Sequence, residues 1–401
     1  MVNADIETMT SKERALFLNG LAMGKANRQI EVAKPYSGQL KAFRGPNAAE
    51  RAFRAGAELI CQIDRSARTD WLRDYCQTRG INLERTQTGT VDSLGGVTIP
   101  VEFEQSIIDL RIEYGTFRRN AEYLPMKSDT KIRNRRTGGL VAYPVAAGAR
   151  GTKSTATWDA VELVARKWMV LANYEDEVTE DSIISWADQF ADEAAYAFAF
   201  TEDNTGFNGD GSLSHHGIVG VIPKLTGLDG TVANVAGLVE ASGNLWSEIT
   251  DADIHKMIGR LPLFARRTGR VKWYCSHKFW AEVILRIAFD KGGVTYKEAA
   301  EGPVPRLYGY DVELSEALPQ EQANSQVCLL FGNLSQAAMF GDRRGITVKM
   351  TDSNDTDFES DIRAIKATTR FDINVHSVGN ASATANLRKP GPIVGLITQA
   401  S

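Results

Sequence analysis

The chain has 401 residues, 43% hydrophobic and 24% charged, with a formal net charge of −4 and a pI near 5.9. That length and apolar content bury a sizeable core and favour more than one compact unit. The charge balance excludes the polycationic surface that grips nucleic acid or an anionic membrane, and four scattered cysteines without Cys-x-x-Cys spacing exclude a disulfide framework or a zinc knuckle.

Charge is unevenly divided: residues 1–90 carry 14 Lys+Arg against 10 Asp+Glu, and the remainder 32 against 40. No basic leader followed by an apolar run opens the chain, and no stretch approaches 18 uninterrupted apolar residues, so neither export nor membrane insertion is expected. Ala15, Leu18, Leu21 and Ala22 have helical spacing behind a possible capping box of Thr10 and Glu13. After a Gly/Pro-bearing linker, Pro35 to Pro46, residues 47–79 read as one or two more helices, so residues 1–92 form a mildly basic helical unit.

The Gly- and Thr-rich stretch 86–100 is a boundary, and Pro100 opens a helix with Phe103, Ile107, Leu110 and Ile112 as its apolar residues. Residues 120–174 read as two extended strands with a Gly-rich tip, a hairpin arm short of apolar mass for a core of its own. Residues 179–211 then place Ile183, Ala187, Phe190, Ala194, Ala197 and Phe198 on one face of a long helix, with Thr179 as cap, Glu180 and Asp181 in the first turn, and Gly206 at the far end. This helix is the spine of the molecule.

Phe207 to Gly211 reads as a loop and Gly217 to Pro223 as a strand, 250–267 as an amphipathic helix, Val271 to Cys275 as a strand, and Ser276 to Asp290 as a serine-capped helix. With strands at Gly309 to Leu314 and Val327 to Phe331, residues 216–333 describe an inserted α/β domain. Ala337 to Met350 reads as two strands around a tight turn at Gly341 and Gly345. An acidic stretch follows at Thr351 to Ser360, then strands at Ile362 to Asn374 and Val375 to Val378.

For catalysis, the densest constellations are His215 and His216 beside Asp210 and Ser212, and Cys275 with His277; neither has the companion groups an active site needs. Asn208-Gly-Asp-Gly lacks the spaced carboxylates of a calcium loop, and no phosphate loop is present. No enzyme activity, metal or cofactor is expected.

The order of pieces resembles that of the major capsid proteins of tailed bacteriophages, with the Hong Kong 97-like fold. The matching stretches are Gly95 to Phe103, the arm, the spine ending in Asn208-Gly-Asp-Gly with Gly217 to Gly220, Trp273 to Trp280, Leu307 to Pro319, and Phe331 to Gly345. The resemblance implies an α+β fold: an N-terminal helical region, scaffold-like or a clamp, over 1–92; an N-terminal arm over 93–125; and an extended loop over 126–174. It further implies a peripheral domain with the spine over 175–215, an axial domain over 216–333, and peripheral strands with the C-terminal tail over 334–401. The implied role is an icosahedral virion head of hexamers and pentamers around double-stranded DNA, assembled in the host cytoplasm. Its partners would be further copies, a portal protein, decoration or scaffolding proteins, and non-specifically packaged DNA, with no membrane. An encapsulin-like compartment shell or a soluble α/β hydrolase are the alternatives. Between subunits, Lys131, Arg133, Arg135, Arg136 and Lys153 of the arm are expected to meet acids such as Glu175, Asp176, Glu177, Asp355 and Asp357. Some family members also crosslink a loop lysine to a neighbour's asparagine; the candidates are Lys127, Lys131, Lys153, Asn374 and Asn380, with Glu359 as the carboxylate.

Overall fold

The structure, a computed structural model, describes residues 40–43, 48–63, 73–74, 77, 101–140, 142–145, 150–175, 183–290, 306–351 and 362–400. The helix expected over 10–30, and Thr179 to Asp181 ahead of the spine, lie outside these. Two compact units emerge: the described residues of 1–107, 171–193 and 348–366 form one, and residues 108–170, 194–347 and 367–401 belong to the other.

In the first unit, the helix Ala48–Ile63 buries Ala52, Phe53, Ala55 and Ala57. The Asp188 carboxylate accepts the backbone N–H groups of Lys41, Ala42 and Phe43 at 2.8, 2.8 and 3.1 Å, fixing that short segment on the spine. The spine helix itself runs Ile183–Asn208. It passes through Gly206, which sequence reading made its end. The reason is lateral packing: a Cβ at Gly206 would lie 2.6 Å from Phe117 Cγ and Cε2, closer than any real contact.

The helix Val101–Tyr114, whose residues divide between the two units at 107/108, buries Ile107 and Leu110, while Ile112 faces solvent, and a short helix Thr116–Asn120 follows. Strands β1 (Glu122–Pro125), β10 (Ala338–Thr351), β11 (Ile362–Val375) and β4 (Arg166–Glu175) make a four-stranded sheet in the order β1-β10-β11-β4. Strands β2 (Thr130–Gly138) and β3 (Thr157–Val164) form a separate antiparallel hairpin. The arm expected as one ribbon thus breaks at Ala165, whose N–H donates to the Asp129 carbonyl at 2.8 Å, and β4 leaves to join the sheet. The expected turn at Gly341 and Gly345 is absent, because β10 is continuous. Gly341 is small for another reason: a Cβ there would lie 2.7 Å from the Met126 sulfur.

The second sheet has the order β5-β12-β9-β6-β8-β7, comprising Leu238–Glu240, Ile393–Ile397, Val327–Gly332, Lys272–Cys275, Tyr310–Leu314 and Arg306–Leu307. All six residues of β9 are buried, its side chains divided between two hydrophobic clusters, so an unbroken apolar run is what this position requires. Trp273 stacks on Phe331 with centroids 3.9 Å apart. The C-terminal β12, expected with the peripheral strands, sits between β5 and β9 and completes this α/β sheet. Val221–Thr226 is a helix where a strand was expected. The helix Asp251–Arg260 starts at a Thr250/Asp253 capping box and stops before Pro262, which disfavours helical backbone in the residue ahead of it. Ser276 caps its helix as expected, accepting from the Phe279 N–H at 3.2 Å.

Two helical glycines provide a matched test. Gly206→Ala drives a methyl into Phe117 and is expected to destabilise by about 1–3 kcal/mol, as overpacking does. Gly259→Ala, with nothing within 4 Å, is expected to stabilise by up to about 1 kcal/mol. Denaturant midpoints of the two variants, moving in opposite directions, check the assignment.

Candidate functional site

The β2–β3 hairpin has two chemically different faces, set by its register: Lys131 lies opposite Leu163, Arg133 opposite Val161, Arg135 opposite Asp159 and Arg136 opposite Trp158. Side chains alternate along a strand, so Lys131, Arg133, Arg135, Val161 and Leu163 share one face, and Ile132, Asn134, Trp158, Ala160 and Glu162 the other. The first face is anchored within the chain. Val161 and Leu163 are buried with Met126 and Met339, Arg133 pairs with Glu122, and Lys131 Nζ donates to the Pro125 carbonyl at 2.8 Å. Arg135 donates to the His376 carbonyl and, at 3.0 Å, to His376 Nδ1. Two further ties hold β3: the Val164 N–H donates to the Asp372 carboxylate at 2.7 Å, and Asn374 Nδ2 to the Glu162 carbonyl at 2.9 Å.

Arg133 and Arg135, expected to reach acids of another subunit, therefore have partners at the hairpin's own root. The opposite face leaves Ile132 63% and Trp158 65% exposed. Lys127 and Lys153 are exposed. Asn380 is tied locally, donating to the Leu387 carbonyl at 3.0 Å and accepting from the Lys389 N–H at 2.6 Å. Asp176, Glu177, Asp355, Asp357 and Glu359 lie outside the described residues, as do the side chains of Arg136 and Glu175.

Burial, and then the charges of Arg135, Lys224 and Arg133, hold the His376 imidazole down at about 4. Protonation there would put a proton on Nδ1, where Arg135 donates, and add a cation beside three others.

A buried ionic cluster ties the spine to β10 and β11. Glu202 of the spine is fully buried; it accepts from Arg118 Nε at 3.0 Å and Nη2 at 2.9 Å and pairs with Arg111. Arg118 Nη1 reaches Asp342 of β10 at 2.7 Å, and its guanidinium lies 4.3 Å from the Phe340 ring centroid. Arg111 Nη1 also donates to Thr369 Oγ1 of β11 at 3.1 Å. The next spine residue, Asp203, accepts the Phe117 N–H at 2.7 Å, the Thr116 N–H at 3.1 Å and the Ser315 hydroxyl at 2.8 Å. Burial raises its carboxyl above the usual range, and these three hydrogen bonds oppose the rise. Sequence reading missed all of these residues. The signal available was a pair of acids closing the alanine–phenylalanine stripe of the spine, where a soluble face would not need them.

Of the catalytic candidates, Asp210 and Ser212 stay together in a local turn, the carboxylate accepting the Ser212 N–H at 2.9 Å. Cys275 and Cys328 are buried thiols; burial pushes Cys275 far up and Cys328 up to about 12, the opposite of an activated nucleophile. His216 adopts φ +52° and packs edge-on against Trp168, and His215 sits in a 3₁₀ turn, with Nδ1 3.4 Å from the Thr205 hydroxyl. Among the described residues no group of three His, Cys, Asp or Glu is placed to hold a metal ion, and no helix is long and apolar enough to cross a membrane.

Residues 95–379 match the phage capsid family. Among solved structures, the capsid of a native GTA (gene transfer agent) particle aligns with a TM-score of 0.53 at 17% identity, over 79% of this chain and 96% of its own. The capsid of the empty GTA particle gives 0.52 at 15% identity, over 81% and 98%. At these identities the likeness is one of fold. No curated protein matches the chain.

Two outcomes follow from the geometry. Glu202→Ala strands Arg111 and Arg118 in the interior and is expected to cost about 3–5 kcal/mol in denaturant unfolding. Because His376 titrates lower folded than unfolded, its contribution to stability is complete above about 6.5 and is lost as pH falls towards about 4. Melting curves across that window should show the loss in the wild type and a flatter profile in His376→Gln.

Proposed function

The chain belongs to the phage capsid family, and from that premise we propose that it is the major capsid protein of a tailed double-stranded DNA bacteriophage. It is a structural subunit of the virion, and copies of it close as hexamers and pentamers into an icosahedral head. The observation that carries this reading is the family match across 95–379, which spans the spine, the hairpin, the four-stranded sheet and every strand of the six-stranded sheet except β12.

The residues then take mechanical roles. The spine and the four-stranded sheet form the peripheral part of a tile, and the six-stranded sheet its axial part. Rooted through Arg133, Arg135, Val161 and Leu163, the hairpin holds a fixed direction, so the exposed Ile132 and Trp158 are presented for burial on an adjacent copy. Lys127 and Lys153 remain the exposed cations for a neighbour's acids. Residues 1–92 would act as a scaffold-like region or a clamp, with a portal protein and decoration or scaffolding proteins as further partners. The excess of acids after residue 90 suits a container that does not bind its DNA tightly. Many weak contacts, multiplied over the lattice, hold such a shell.

Electron microscopy of the protein expressed alone is expected to show closed shells; a monodisperse monomer would overturn the reading. Denaturing mass spectrometry of those shells is expected to give one species at 44.0 kDa, because the amides of Asn374 and Asn380 are both hydrogen-bonded within the chain. A ladder of multiples would instead reveal covalent links between copies.

A further inference from the structure

Leu263 and Phe264 stand side by side on the short helix Leu263–Arg266, 74% and 52% exposed. Directly after them, Arg267 and Arg270 are exposed and make no ion pair or hydrogen bond among the described residues. Their neighbours in sequence are committed: Arg260 donates to the Leu238 carbonyl and Arg266 to the Ile258 carbonyl. The platform under them is fixed, with Ala265 buried and Asn333 Nδ2 donating to the Ala265 carbonyl at 3.4 Å and to the Thr268 hydroxyl. Gly269, at φ +66°, makes the turn between Arg267 and Arg270. An exposed aliphatic–aromatic pair beside unneutralised guanidinium groups is the composition of an interface centre, and it calls for a partner that is both acidic and apolar.

The sequence contains such a partner. Residues 352–361 hold five carboxylates, Asp352, Asp355, Asp357, Glu359 and Asp361, with Phe358 among them and no lysine or arginine. Of the hairpin arginines first expected to neutralise this segment, Arg133 and Arg135 are engaged at their own root. We propose that the surface formed by Leu263, Phe264, Arg267 and Arg270 of one copy is the docking site for the acidic segment Asp352–Asp361 of a second copy. The proposal rests on the capsid reading for its biological setting and on charge and apolar complementarity for its chemistry. It makes the contact directional, since knob and acidic segment are different parts of the chain, as a ring of copies requires.

A synthetic peptide spanning residues 351–362, titrated into the full chain by fluorescence anisotropy, is expected to bind and to lose about tenfold in affinity with the Arg267→Glu/Arg270→Glu variant or with high salt. Leu263→Ser/Phe264→Ser is expected to weaken binding with an unchanged melting temperature, as these side chains are outside the core. In the whole protein, Arg267→Glu/Arg270→Glu and Asp355→Arg/Asp357→Arg should each lower the yield of shells, and the chain carrying all four changes should recover it. A peptide that does not bind overturns the inference whether or not shells form; shells lost by the arginine variant and not recovered by the four-fold change do the same. Normal shells that only retain less DNA would assign the arginines to nucleic acid and overturn it too. Absence of shells alongside intact peptide binding would count against the capsid reading alone.

Discussion

A single buried carboxylate organises the second unit. Glu202 sits on the spine between two guanidinium groups that come from the helices ahead of β1, and through Arg118 and Arg111 it is linked to Asp342 of β10 and Thr369 of β11. Charges taken out of water are tolerable only when every one has a close opposite. That requirement is strict in geometry: the spine, the connecting helices and two strands must all be in place together for the cluster to be neutral. Hydrophobic contact between the same elements would permit sliding; the cluster does not. Asp203, one residue on, adds the directional part by capping the short helix Thr116–Asn120 with two backbone hydrogen bonds.

This rigidity explains the form of the hairpin. A two-stranded ribbon is marginal in water by itself. Here one face is fastened to the sheet by Val161 and Leu163 on Met126 and Met339 and by polar ties to Glu122, Pro125 and His376, which leaves the other face free to carry apolar groups. A projecting element can offer Trp158 to a neighbour only if its own root is settled first. The arrangement divides the labour between the two faces of one strand pair, and the period-two alternation of β structure does the dividing.

The same division shows where local reading was sufficient. The helical spacing of Phe190, Ala194 and Phe198, the amphipathic helix opening at Thr250, the Ser276 cap and the apolar run of β9 are signals carried by a few adjacent residues, and each appears in the structure where its chemistry predicts. Glycines misled where their reason was remote. Gly206 and Gly341 read as a helix end and a turn, yet each is small because a side chain more than 80 residues away in sequence, Phe117 or Met126, occupies the space. Likewise β12 was grouped with its sequence neighbours, whereas its pairing with β5 and β9 depends on a long return of the chain.

From sequence alone, then, came most of the element types, the order of pieces and, by resemblance, the capsid family, because periodicity, caps and motif order are properties of contiguous residues. Only the tertiary structure decided the partners. It paired Arg133 and Arg135 within their own chain, buried Glu202 between Arg111 and Arg118 and Asp203 against backbone N–H groups and the Ser315 hydroxyl, and left Ile132, Trp158, Leu263 and Phe264 in solvent. A charge or an apolar side chain carries no mark in the sequence of whether its complement lies in its own chain or in another; that is settled by which surfaces the folded backbone brings within a few ångströms.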